Sequence, residues 1–224
     1  MKFYIFIVVL IISTTGFAQK SVKQSQVVKL ATKADTLQYA EGVATGQWMV
    51  KNNFEVKNAN LFLKGMEDVL QKKALAVNDS IIRKTINEYQ LSTQIEKSKL
   101  QEEQLFATLK GKTGVGVLPN GVNYIIRRQG DGVRPSAKST VVINAVGVLP
   151  DGAIFEDTYK KKQPITIAIG SLIPGLNEAV QLMPVGSVWR IFIPSVLGYG
   201  EKGLQNVVPP YSALVFDIEL LEIK

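Results

Sequence analysis

The chain has 224 residues, of which 46% are hydrophobic, and its formal net charge is +7. It contains no cysteine and no histidine, which excludes disulfides, thiolate catalysis and the usual forms of structural zinc sites and Ser-His-Asp catalysis. Any chemistry must therefore come from carboxylates, hydroxyls, backbone groups and apolar shape, on a chain long enough for about one to two domains with a buried core.

Residues 1–18 have the pattern of a secretory signal peptide. Lys2 opens a short positive region, an apolar run follows from 3 to 12, and Gly16 to Ala18 supplies small residues for cleavage. The apolar run is ~10–12 residues long, whereas a membrane-spanning helix needs ~20. We expect cleavage before Gln19 and an exported chain without stable membrane insertion, periplasmic or secreted, rather than a membrane-anchored one.

Residues 19–110 are predicted to be all-α. In the first helix, apolar residues recur at three- and four-residue spacings between 37 and 49, and Asp35 is placed as the N-cap. Gly42 and Gly46 stand four residues apart, where each glycine costs roughly 0.5–1 kcal/mol against alanine. This spacing favours a close crossing of another backbone, and a frayed helix is the alternative.

Two more helices are predicted before the chain changes character. One begins at Asn58 and ends at Lys72, and the next begins near Asn78 and ends near Gly111. The third is charged, with one thin apolar seam, and roughly 30 helical residues reach on the order of 45 Å. We therefore expect a mostly solvated stalk, followed by a domain boundary that separates 19–110 from 111–224.

The second half has the two-residue period of β-strands. Strands are predicted at 122–126, 141–149, 165–169 and 188–193, and one short helix begins at Pro174. In the last strand, alternation turns Phe216 inward and leaves one face wet. Mainly antiparallel strands over a single helix predict an α+β domain, with the sheet as a half-barrel.

The connection before the last strand is stiff and specifically shaped. Tyr199 stands between two glycines, and Pro209 and Pro210 follow shortly afterwards. Proline fixes φ and glycine permits conformations closed to other residues. A shaped apolar loop beside a half-barrel predicts a binding cleft.

A set of ordered motifs in residues 114–224 resembles the FKBP-type peptidyl-prolyl cis-trans isomerases. The motifs are Val148-Leu149-Pro150-Asp151-Gly152 with Phe155, Ile173-Pro174-Gly175, Leu182 to Ser187, Ile193-Pro194, Gly198-Tyr199-Gly200, Val208-Pro209-Pro210 and Ala213 to Leu221. The helical half and the exported start resemble the macrophage-infectivity-potentiator-like branch, whose members are V-shaped homodimers with intertwined N-terminal helices. The resemblance implies a homodimer in which Gly42 and Gly46 are contact positions.

The resemblance also implies the site residues and needs neither cofactor nor metal. The Ile173 backbone N–H and the Tyr199 hydroxyl would donate hydrogen bonds to substrate carbonyls, and Glu156 stands where the family usually has Asp. The implied catalytic residues are Phe155, Glu156, Ile173, Tyr199 and Phe216, and the implied substrate-binding residues are Ala145, Ile165, Leu172, Leu176, Val207 and Val208.

This implied activity suits a chain without histidine or cysteine. Rotation about an X-Pro bond meets a barrier of ~18–20 kcal/mol, because the twisted amide loses its conjugation. A water-poor apolar cleft that fits the twisted imide better than the planar one lowers that barrier without acid, base or metal. Proline-containing unfolded or flexible protein segments are the expected substrates.

Three departures from the family pattern predict reduced activity and weakened binding of macrocyclic FKBP inhibitors. Ala145 replaces a cleft Tyr, Leu176 replaces the Trp that usually floors the pocket, and Glu156 replaces Asp. Because Asp157 adjoins Glu156, the sequence leaves open which carboxylate faces the cleft.

The alternative function is a non-catalytic dimeric holdase that uses the cleft as an apolar peptide receptor. A nucleic-acid partner is not expected, since the basic residues are spread along the chain and the one basic run, 160–162, is short.

Overall fold

The computed structural model of the protein describes residues 28–224, and the predicted signal peptide and its cleavage site lie outside the described residues. The chain divides into two compact units, one ending at Lys51 and the other spanning Asn52–Lys224. Among the helices of the described part, none combines the length and the apolar character needed to cross a membrane.

The first unit contributes helix α1, Lys33–Lys51, which has no buried residue in the described chain. The Asp35 carboxylate accepts the Thr32 N–H at 2.8 Å, and the Thr32 hydroxyl oxygen accepts the Asp35 N–H at 3.0 Å. This reciprocal pair is a capping box with Thr32 at its start. The prediction of Asp35 as N-cap is therefore wrong, since Asp35 lies in the first turn.

The second unit begins with two capped helices, α2 (Ala59–Leu70) and α3 (Asp79–Leu109). The side chains of Asn58 and Asn78 accept backbone N–H groups of the first turns of α2 and α3, respectively, at 3.1 and 3.0 Å. Asparagine is a preferred N-cap because its side-chain oxygen satisfies an otherwise unpaired donor. The 31 residues of α3 confirm the predicted long helix.

The rest of the unit is one antiparallel sheet with two helices. The strands are β1 Gly116–Val117, β2 Asn123–Arg128, β3 Thr140–Val148, β4 Ile154–Asp157, β5 Ile165–Ala168, β6 Val188–Ile193 and β7 Leu214–Ile223, and the helices are α4 Thr158–Lys161 and α5 Pro174–Leu182. The strand order in the sheet is β1-β2-β6-β7-β3-β4, and β5 also pairs with β3. The predicted α+β class is confirmed.

Helix α5 packs against the inner face of the sheet. Pro174 occupies its first turn, where the missing N–H costs no helical hydrogen bond. A Cβ on Gly175 would lie 2.4 Å from Ile193 Cγ2, so glycine lets the helix approach β6 closely. The core between them is fully closed, with Val180, Ile191 and Leu214 at 0% exposure.

The outer face of the sheet is not uniformly wet, because the end of α3 covers part of it. Leu109 of α3 is buried together with Phe192 and Val215 in a second apolar cluster. Val215 is only 7% exposed although it points away from the main core. The prediction of one wet face is therefore wrong at Val215, since α3 and not solvent lies over it.

Candidate functional site

An apolar cleft of about 370 Å³ opens on the inner face of the sheet. It lies beside the start of α5, and β3, β4, β5, β7 and the β6–β7 loop also contribute to its wall. Its lining comprises Ile143, Ala145, Phe155, Glu156, Ile165, Ile167, Ser171, Leu172, Ile173, Leu176, Tyr199, Leu204, Val207, Phe216 and Ile218. Of the predicted site residues, all except Val208 line this cleft.

Val208 lies in the core and not in the cleft wall. It is 3% exposed, and its backbone forms an isolated bridge with Leu204, with N···O distances of 2.8 Å in both directions. Its neighbour Val207 faces the cleft and is 44% exposed. The two adjacent valines therefore point to opposite sides of the loop. Val208 packs into the core, and Val207 lines the cleft.

Two phenylalanines from different strands form one wall. Phe155 of β4 and Phe216 of β7 meet edge to face, with ring centroids 5.4 Å apart and ring planes at 87°. Gly147 of β3 makes this pair fit, because a Cβ there would lie 2.6 Å from Phe155 Cζ and 2.9 Å from Phe216 Cε1. A glycine inside a strand is a signal of such close approach, and sequence reasoning missed it here.

Ile143, Ile167 and Ile218 also line the cleft without having been predicted. Ile143 stands two residues before Ala145 in β3, and Ile218 stands two residues after Phe216 in β7. Since side chains in a strand repeat their face every second residue, the period could have identified both. Ser171 ends the 3₁₀ turn Ile169–Ser171 and Leu204 lies in the β6–β7 loop, so the period of a strand identifies neither.

Tyr199 presents a half-buried hydroxyl to the cleft. Burial raises the pKa of this phenol above its ordinary value of about 10, and the nearby negative charge of Glu156 raises it further. Tyr199 therefore keeps its proton at neutral pH and can donate a hydrogen bond into an apolar space.

The Glu156 carboxylate lies at the cleft edge and is held by two donors. Its Oε1 accepts from Lys161 Nζ at 2.5 Å and from the Asp157 N–H at 3.1 Å. Asp157 has a different task, since its carboxylate accepts the Lys160 N–H at 2.9 Å as the N-cap of α4. Of the two adjacent carboxylates, Glu156 is the one that lines the cleft.

The floor is built from small or branched apolar side chains. Ala145 is 2% exposed and Leu176 is 5% exposed. The Ala145 N–H donates to the Thr158 hydroxyl at 2.9 Å, so the backbone of β3 is satisfied there. Ile173 stands at the N-cap of α5, and its carbonyl accepts the Asn177 N–H at 3.0 Å.

Comparison with known proteins identifies the family. A family model described as FKBP-type peptidyl-prolyl cis-trans isomerase matches residues 132–221, and a model of the domain amino terminal to it matches residues 34–126. Outer membrane protein MIP of Legionella longbeachae is 30% identical over 205 residues, covering 87% of this chain and 88% of that protein. The chain belongs to the FKBP-type peptidyl-prolyl cis-trans isomerase family.

Two further FKBP-family relatives agree over most of the chain. The FKBP-type peptidyl-prolyl cis-trans isomerase FkpA of Aeromonas hydrophila is 35% identical over 204 residues, covering 83% of this chain and 75% of that protein. The crystal structure of FkpA from Escherichia coli has a TM-score of 0.60 at 24% identity and covers 88% of this chain and 99% of that one. The latter likeness supports the fold of helices followed by an FKBP-like sheet domain.

Proposed function

We propose that this FKBP-family isomerase is exported and acts on X-Pro bonds of envelope or secreted proteins at the described cleft. The observation that carries the proposal is a single apolar cavity that gathers Phe155, Tyr199 and Phe216 beside the N-terminus of α5. Export rests on the signal-peptide pattern of residues 1–18 and on relatives named as outer membrane protein MIP and FkpA.

Catalysis follows from the different polarity of the planar and twisted imide. The prolyl ring enters the cleft against the wall that Phe155 and Phe216 form together, and this apolar wall replaces water around the amide. Since the twisted amide has lost conjugation and much of its dipole, it loses less solvation on entering than the planar form does. The cleft therefore binds the transition state better than the ground state.

Two donors orient the chain of the substrate. The Tyr199 hydroxyl, kept protonated, donates to a substrate carbonyl, and the Ile173 N–H at the start of α5 donates to another. The Glu156 carboxylate lies at the edge of the cleft, where its contact with Lys161 fixes its position. Positioning of this kind accelerates a reaction because the entropy of alignment is lost on binding and not at the transition state.

The residues at the floor of the cleft, Ala145 and Leu176, make the isomerase activity lower than that of a relative with the full motif. Ala145 provides no hydroxyl and no aromatic wall, and Leu176 contacts a proline ring with a smaller surface than an indole would. The reduced contact lowers the differential binding of the twisted imide and weakens macrocyclic FKBP inhibitors in the same cleft.

The test restores the missing wall in the mature chain from Gln19. We expect the double variant Ala145→Tyr with Leu176→Trp to raise kcat/KM in a protease-coupled prolyl-peptide assay by about tenfold, the equivalent of ~1.4 kcal/mol. Leu182→Trp, on the exposed side of α5 at 40% exposure, is the matched control and should leave the rate unchanged.

Two results would count against this account. A wild-type rate equal to that of full-motif relatives would reject reduced activity. If neither wild type nor the double variant isomerises the peptide faster than buffer does, and wild type still suppresses the aggregation of an unfolded protein, the holdase function is favoured.

We further propose that residues 19–110 form a dimerisation domain and stalk, and that residues 111–224 form the isomerase domain. Helix α2 leaves Leu63, Val69 and Leu70, which share one face of the helix, at 59–76% exposure in the single chain. A contiguous exposed apolar surface marks an interaction site, and a second copy of this chain is the occupant proposed here. Gly42 and Gly46, where an added Cβ would meet no described atom within 4 Å, are proposed contact positions.

A further inference from the structure

The loop between β6 and β7, residues 194–213, carries Tyr199 and is here called the Tyr199 loop. It contains the short 3₁₀ turn Ser195–Leu197 and otherwise little regular structure. The loop has internal hydrogen bonds but belongs to no strand ladder, so contacts from outside also contribute to the placement of Tyr199. The C-terminal half of α3 supplies such contacts at both ends of the loop.

The first contact is at the start of the loop. Glu102 Oε2 accepts the backbone N–H of Ser195 at 3.1 Å. Ser195 is 4% exposed, and its N–H opens the 3₁₀ turn, where no carbonyl of the turn is available to it. The Ser195 carbonyl in turn accepts the N–H groups of Gly198 at 3.0 Å and Gly200 at 2.9 Å, the two residues that flank Tyr199.

The second contact is at the end of the loop. The hydroxyls of Ser98 and Ser212 lie 3.3 Å apart, and these residues are 1% and 6% exposed. Lys99 Nζ lies 4.5 Å from the centroid of the Tyr211 ring. The Tyr211 N–H donates to the Gly200 carbonyl at 2.9 Å, so this path also ends beside Tyr199.

The contacting face of α3 follows from helical spacing. Ser98, Glu102 and Leu109 recur at intervals of four and seven residues, which places them along one side of the helix. Leu109 anchors that side on the sheet through the cluster with Phe192 and Val215. The polar contacts of Ser98 and Glu102 are therefore made by a helix that is itself fixed to the sheet domain.

We infer that α3 is a positioning element of the isomerase site and that Glu102 is its principal positioning residue. Both paths converge on Gly200, and together they set where the Tyr199 hydroxyl lies relative to Glu156 and the phenylalanine wall. The inference rests on the proposed function, because it gives Tyr199 the role of substrate donor. Glu102 touches no substrate and acts through the Ser195 turn.

The test compares three variants of the full mature chain. Glu102→Ala removes the acceptor, Glu102→Gln keeps an acceptor oxygen, and Glu103→Ala alters the adjacent carboxylate that is exposed and faces away. We measure amide hydrogen exchange across residues 195–212, and kcat and KM separately in the prolyl-peptide assay.

In Glu102→Ala we expect exchange of the Tyr199 loop to accelerate about tenfold, because a hydrogen bond to a charged acceptor is lost at a buried donor. We expect kcat to fall by about three- to tenfold with little change in KM, because the donor is misplaced where the transition state needs it. Glu102→Gln should recover most of both effects, and Glu103→Ala should match wild type.

Two results would overturn the inference. One is wild-type exchange of the Tyr199 loop in Glu102→Ala. The other is equal acceleration in the loop and in the central strands β3 and β7, which would mean general destabilisation. If wild type has no isomerase rate, the proposed function fails, and the exchange measurement still decides whether α3 positions the loop.

Discussion

The sheet domain and the helices that precede it use the same kinds of apolar residue in opposite ways. In the sheet, Ile191, Leu214 and Leu220 are completely buried by the chain itself. In α2 and the first half of α3, Leu70 is 76% exposed and Ile81 is 49% exposed. Within the part of the chain that the structure describes, helix α2 has no buried residue, although most of its apolar residues fall on one side.

The difference separates a part that closes its own core from a part whose apolar side chains stay exposed in the single chain. Most of the stability of a protein helix comes from packing of its apolar face, and isolated helices of 12 residues are marginal in water. The sheet domain obtains that packing within one chain. Helix α2 and the first half of α3 do not, which is the physical ground for the proposed dimer.

The largest expected effect is on assembly. We expect the mature chain from Gln19 to sediment at twice the mass of one chain, and Met66→Asp with Leu70→Asp to return it to the single-chain mass. These two residues stand four apart on one face of α2, and a buried unpaired carboxylate at an apolar interface is strongly unfavourable.

Gln71→Asp, at the exposed end of the same helix, is the control and should leave the dimer intact. A shortened chain that begins at Leu91 keeps the docked half of α3 and should be monomeric. Sedimentation of the mature wild type as a monomer at micromolar concentration would break the comparison, since the exposed faces would then have no partner of this kind.

The second effect measures how much burial stabilises the sheet domain itself. Leu220→Ala should lower the free energy of unfolding by about 3 kcal/mol, because transfer and cavity terms add at a fully buried leucine. Leu221→Ala, next along β7 and 38% exposed, should change it by less than about 0.5 kcal/mol. Urea unfolding monitored at the sheet domain decides this, and similar costs for both leucines would contradict the burial pattern.

The sheet half was predictable because its signals are local. Alternation in the last strand placed Phe216 inward, and Pro174 marked the first turn of α5. The ordered FKBP-like motifs then implied which residues line the cleft. The structure brings these residues together, with the exception of Val208.

The packing of α3 on the sheet was not predictable in the same way. Its sequence is polar and charged, which is typical of a solvated rod. Besides the apolar contact at Leu109, the helix is held by polar contacts of Ser98 and Glu102. The Ser98–Ser212 pair spans 114 positions in the chain, so no local pattern encodes it. The burial of Val215 depends on that packing and was missed for the same reason.

The smallest effect extends the comparison to polar groups. In the sheet domain, Tyr159 donates to Glu219 at 2.7 Å, and Arg128 donates to the same carboxylate at 2.6 Å. The hydrogen bond from Tyr159, followed by that from Arg128, lowers the pKa of Glu219. In α3 the ion pair between Lys84 and Glu88 is 3.9 Å long, with both side chains more than 60% exposed.

We therefore expect Tyr159→Phe to cost about 1 kcal/mol of unfolding free energy at neutral pH, and Lys84→Ala to cost close to nothing. Because the folded-state pKa of Glu219 is depressed, its contribution is present above the unfolded value and is lost as pH falls through the folded one. The difference between wild type and Tyr159→Phe should thus shrink as pH falls below about 4.5, the ordinary glutamate value. Urea unfolding at pH 7 and pH 3 measures it, and a difference that grew in acid would show that Tyr159 acts on the sheet by some contact other than Glu219.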